Sequence, residues 1–104
     1  MTNLEEAERF LRKNISNSLR SLKENKSHIV NNWFQIRHSF QSIATSARAL
    51  HVEDIETKIS PILCEEAAKG LKLCQSKSSA RKNTEEISSL VDRVIEKGTI
   101  LKET

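Results

Sequence analysis

The chain has 104 residues and a formal charge of +3 at neutral pH, with two glycines, one proline and no tyrosine. That composition is poor in turn and strand material, which excludes a β-rich fold and leaves long helices. The apolar content of 37% is low for a self-sufficient globule, which raises the idea that partner chains complete the core.

The first predicted helix opens on a capping box, Thr2 with Glu5 or Asn3 with Glu6. Leu4, Ala7, Leu11, Ile15, Leu19 and Leu22 then recur at steps of three or four and define one helix face. Four polar residues, Glu24 to Ser27, interrupt the stripe. They predict either a hairpin, with Ser27 as N-cap of the next helix, or one continuous rod to residue 50, because no glycine or proline forces a stop. The second helix carries WFQIRHSFQSIATSARAL, where Trp33, Ile36, Phe40, Ile43, Ala47 and Leu50 follow steps of 3, 4, 3, 4 and 3. This is a two-sevenths seam of the coiled-coil type, with Trp33 as its largest anchor.

A third stripe runs through Val52, Ile55, Ile59, Leu63, Ala67, Leu71 and Cys74, with Pro61 in the middle. Proline deletes a backbone donor, so either the helix kinks there or Ser60 caps a fresh helix; the unbroken stripe favours the kink. QSKSSARKN, residues 75–83, has no large apolar side chain and is predicted as a loop. Asn83 and Glu86 offer a second capping box, Ile87, Leu90, Val91, Val94 and Ile95 supply the face, and Gly98 stands where a left-handed C-cap belongs. The expected fold is all-α: a three- or four-helix antiparallel bundle or an elongated helical hairpin, one domain over residues 1–104.

Signals of chemistry and of membrane insertion are weak. No run of about 18 apolar residues is present, so no transmembrane helix is expected. MTNLEEAERF lacks the basic and apolar regions of a secretory signal, which suggests an intracellular, cytoplasmic protein. Cys64 and Cys74 match neither a disulfide framework nor half a zinc site. His28, His38 and His51 belong to no HExxH motif, and no GxSxG or glycine-rich phosphate loop occurs. A non-enzymatic protein without cofactor, metal or small-molecule substrate is the expectation. From Asn25 to Val52 there is no acidic residue, whereas 53–69 is acid-rich, so the two segments are expected to complement one another inside the bundle. Lys26, Arg37 and Arg48 make a thin basic stripe without aromatic interleaving, which argues against nucleic acid as a partner.

Two resemblances arise from these helices. FLRKNISNSLRSLKENKSHIVNNW resembles the small helical subunit of BORC, the lysosome-positioning complex, through Leu11, Ile15, Ser18, Leu19, Leu22, Lys26 and Ile29 in ungapped register. A tryptophan displaced by one position follows, then Phe40, Ile43, Ala47 and Leu50. This likeness covers residues 10–50 and implies a hetero-oligomeric helical assembly at the lysosome or endosome surface. In that reading Trp33, Ile36, Phe40, Ile43 and Leu50, flanked by Leu11, Ile15, Leu19 and Leu22, form the seam that packs on partner helices. FQSIATSARALHV is similar to the signature helix of histidine phosphotransfer domains, which are four-helix bundles, at Ile43, Ser46, Ala47 and Leu50. Gln41 occupies the phosphoacceptor position there, with Ala44 and Thr45 at the lysine and glycine positions. That likeness implies a pseudo-phosphotransferase, or a relay displaced to His38, docking response-regulator receivers.

Overall fold

A computed structural model describes residues 2–104. Five α-helices are present: α1 Asn3–Asn25, α2 Trp33–Val52, α3 Ser60–Leu73, α4 Lys77–Lys82 and α5 Thr84–Lys102. No strand occurs among the described residues. The four long helices form a closed antiparallel ring in which α1 packs on α2 and α5, and α3 packs on α2 and α5. The bundle measures 44 × 20 × 19 Å, its long side set mainly by α1. Twenty-three residues of helix span about 35 Å.

Helix α1 starts as the capping pattern requires: the Thr2 hydroxyl accepts from the Glu5 N–H at 3.1 Å. At its other end Asn25 Nδ2 donates to the Ser21 carbonyl at 2.8 Å, satisfying one acceptor that the ending helix leaves free. A 3-10 turn over Lys26–His28 follows, and the chain reverses. The hairpin therefore holds and the rod does not. Ile29, buried behind the polar interruption, plugs that end of the bundle. Ser27 lies within the 3-10 turn, and Asn32 stands at the N-cap of α2 without a side-chain capping bond.

Helix α2 ends in a Schellman motif that the sequence pattern concealed. Asp54 adopts φ 59°. Its N–H donates to the His51 carbonyl at 3.0 Å, and the Ile55 N–H donates to the Leu50 carbonyl at 3.0 Å. Ile55 packs against the core beside buried Leu50, the apolar contact typical of the motif. The expected kink at Pro61 is absent, because α3 is a fresh helix with Pro61 in its first turn, where its missing N–H costs no bond. The start is capped by Glu56, whose carboxylate Oε1 accepts from the backbone N–H groups of Lys58, Ile59 and Ser60 at 3.1, 2.8 and 2.7 Å. The apolar stripe continues across the break because loop residues Ile55 and Ile59 lean onto the same core.

Residues 75–83 are not a plain loop. They contain α4, whose N-cap Ser76 accepts from the Ser79 N–H at 3.0 Å, and which seats Ala80 in the core. Asn83 spends its side-chain amide on the Ser79 carbonyl at 2.9 Å, closing α4 rather than capping α5, so the second capping box does not form. Gly98 is likewise no C-cap: α5 continues through it to Lys102, and the residue is buried.

The two glycines instead mark the closest helix approaches. A Cβ on Gly70 would stand 2.5 Å from Phe40 Cε2, and one on Gly98 would stand 2.5 Å from Leu19 Cδ1. Gly70 thus lets α3 lie under the Phe40 ring of α2, and Gly98 lets α5 meet Leu19 of α1.

Candidate interaction surface at the open end of the bundle

The seam expected to bind partner chains is the chain's own interior. Ile36, Phe40, Ile43 and Leu50 are fully buried, as are Ile15, Leu19 and Leu22 to within a few per cent. They pack with Leu63, Ala67, Ile87, Leu90, Val91, Val94 and Leu101 in one cluster. Leu11 and Trp33 sit at its margin, partly buried. Trp33 is therefore not the central anchor. Its ring meets Phe34 edge-on, with centroids 5.7 Å apart, at the rim, and Phe40 occupies the centre. The core closes without a second chain, which corrects the idea that 37% apolar content leaves it incomplete.

Large apolar side chains that remain in solvent fall mostly at one end. The described chain exposes Leu4, Phe10, Phe34, Val52, Ile62 and Ile100. All but Phe34 belong to the end where α1 and α3 begin and α2 and α5 finish. There Asn3, Leu4, Ala7, Phe10 and Leu11 of α1 form a shallow apolar groove with Ala49 and Glu53 of α2. The groove exists because the helices are unequal in reach. Arg12 Nη1 donates to the Leu101 carbonyl at 2.8 Å, so α5 finishes level with the third turn of α1. The first two turns of α1 extend past it.

The opposite end is basic. The acid-free stretch 25–52 packs beside a second one, 67–84, through the α2–α3 and α2–α4 contacts. Arg37, Lys72, Lys77, Arg81 and Lys82 lie there outside any ion pair among the described residues. The acid-free α2 does lie against α3 of the acidic segment, but no ion pair joins the two among the described residues. Glu56 caps α3, Glu65 pairs with Lys69 on its own helix at 3.7 Å, and Glu66 reaches Arg93 of α5 at 3.3 Å.

The reactive side chains do not converge. His38 is exposed on α2, one turn before exposed Gln41. Cys64 is half-buried and Cys74 fully buried, both as free thiols. Burial pushes the Cys74 thiol up to about 11, against the opposing pull of the Arg37 charge. The Arg37 Nε is itself buried without a hydrogen-bond partner. Among the described residues no three His, Cys, Asp or Glu side chains cluster as metal ligands, and no helix is long and apolar enough to cross a membrane.

Sequence reasoning named the apolar face of α1 and α2 but assigned it outward. The signal for the open end was present in Phe10, which lies off the Leu4–Leu11–Ile15 stripe. No protein-family model, curated protein or solved structure matches the chain.

Proposed function

We propose that the protein is a non-enzymatic helical subunit that docks partner helices at the open end of its bundle. The observation that carries this reading is the collection of solvent-facing Leu4, Phe10, Val52, Ile62 and Ile100 around one set of helix termini of an otherwise closed core. Leu4 and Phe10, beside Ala7 and Ala49 in the same groove, suit the knobs of another helix. The likeness of residues 10–50 to the BORC subunit supports a multiprotein assembly at the lysosome or endosome surface. In this bundle, however, the residues carrying that likeness serve the interior, so the docking role passes to the open end.

Affinity purification of the tagged chain followed by native mass spectrometry tests the proposal. Helical partners at fixed stoichiometry are expected, released by Leu4→Glu or Val52→Glu while circular dichroism stays unchanged. Partners that survive both substitutions, or none at all, contradict it. Co-recovery of the other BORC subunits would assign the assembly.

A second reading rests on His38, which stands exposed on an acid-free helix of an antiparallel four-helix bundle. In a phosphotransfer module of this kind the receiver's acidic site would meet α2. Mixing with a phosphorylated receiver separates the cases. Label on His38 that vanishes in His38→Gln supports relay, and receiver binding without transfer supports the inactive form. Absence of both receiver binding and transfer rejects the reading.

A further inference from the structure

We infer that one partner at the open end is a second copy of this chain, joined by antiparallel pairing of the first turns of α1 about a two-fold axis near Phe10. The inference rests on the docking role proposed for that end and names an occupant.

Glu6, Phe10 and Lys13 follow one another at steps of four and three, so they share one stripe of α1. All three are exposed, Phe10 at 63%, and neither Glu6 nor Lys13 is ion-paired within the chain. The core-facing direction of the helix is set by Leu11, Ile15, Leu19 and Leu22, so this stripe looks away from the bundle interior. Ala7 borders it on the groove side.

The order acid, aromatic, base is self-complementary under a two-fold. When two identical helices pair antiparallel, each flank meets the same flank of its copy. Phe10 then stacks on Phe10, and Glu6 of each chain lies opposite Lys13 of the other. A parallel arrangement would set Glu6 against Glu6 and Lys13 against Lys13.

The free reach of α1 permits this approach. Its first two turns lie beyond the end of α5, marked by the Arg12–Leu101 bond, and line a groove with Ala49 and Glu53 of α2. Phe10, at 63% exposure, is the apolar centre of the pair, and so small a contact suits a weak, reversible dimer rather than a permanent one.

Light scattering behind size-exclusion chromatography, run from low micromolar to near-millimolar protein, tests the pairing. Wild type is expected to pass from monomer to dimer with concentration, and Phe10→Glu to stay monomeric with unchanged circular dichroism. Glu6→Lys and Lys13→Glu should each weaken the dimer at least tenfold. The double variant Glu6→Lys/Lys13→Glu should regain most of it, because the swapped stripe is again self-complementary. Wild type monomeric throughout overturns the inference, as does a double variant no better than the singles. A monomeric wild type that still loses a different partner on Leu4→Glu would overturn the dimer alone and leave the docking role standing.

Discussion

At the scale of single residues, two glycines and two cysteines show how the same residue type does different work at different depths. Gly70 faces the flat ring of Phe40, held at zero exposure by the helices around it, with three ring atoms inside 2.7 Å of an added Cβ. Gly98 faces the methyl ends of Leu19, which border a small cleft lined by Arg12, Ile15 and Ser16 and so have room to yield. Gly70→Ala is therefore expected to destabilise by about 1–3 kcal/mol through overpacking. Gly98→Ala is expected to stay within about 1 kcal/mol of wild type, since alanine's better helix propensity offsets a soft clash. Urea unfolding of both variants checks the difference, and equal losses would show that the Leu19 side is as rigid as the Phe40 side. The cysteines diverge in the same way. Cys74 is buried with its thiol pushed up to about 11, so at neutral pH it holds almost no thiolate. Iodoacetamide should label Cys64 first in the native chain and reach Cys74 only on unfolding, as peptide mass mapping over time would reveal.

At the scale of elements, the helix interiors were legible and the helix ends were not. The stripes of α2, of α5 and of α1 from Leu11 onward run as the apolar spacing dictates, because a helix in water must bury one face whatever its neighbours are. Ends depend on which polar group happens to reach a free N–H or carbonyl, and that is decided by the packed arrangement. Asp54, not a glycine, takes the left-handed position after α2. A β-carbon there costs roughly 1 kcal/mol, so Asp54→Gly is expected to stabilise by about 0.5–1 kcal/mol in thermal unfolding; a loss would mean the aspartate makes a compensating contact. Glu56, read from sequence only as one acid in an acidic segment, is the cap of α3. Burial alone would raise its carboxyl, but hydrogen bonds from the Ser60, Ile59 and Lys58 backbones and from Ser60's side chain outweigh that and hold it below 4.5. A carboxyl depressed in the folded state stabilises fully above its unfolded value and loses that contribution as pH falls through the folded value. Glu56→Gln is thus expected to cost about 0.5–2 kcal/mol at neutral pH, with the gap to wild type closing on acidification below about pH 4.5. A gap independent of pH would contradict the capping role. Pro61 reads as a kink for the same reason: Ile55 and Ile59 keep the apolar period going through a loop, and periodicity alone cannot tell a loop that leans on the core from a helix.

At the scale of the whole molecule, the sequence told that greasy faces exist but not which faces they meet. A two-sevenths seam on α2 serves a partner chain or a sister helix equally well, and only the hairpin reversal at Lys26–His28 and the fresh start at Ser60 turn it inward. Low apolar content proved compatible with a closed core because the helices economise. Small residues at Ala47, Ala67, Gly70 and Gly98 bring them close enough for few large side chains to fill the centre. What the closure leaves outside, at the end where α1 overreaches α5, is the place we propose for association. The central claim is that this core is complete within one chain, and urea unfolding of the isolated protein, dilute enough to be monomeric, tests it most directly. One cooperative, concentration-independent transition is expected, weakened by about 3–5 kcal/mol in Phe40→Ala and left within about 0.5 kcal/mol by Phe10→Glu. A broad, non-cooperative loss of helix that sharpens only when a partner protein is added would contradict it.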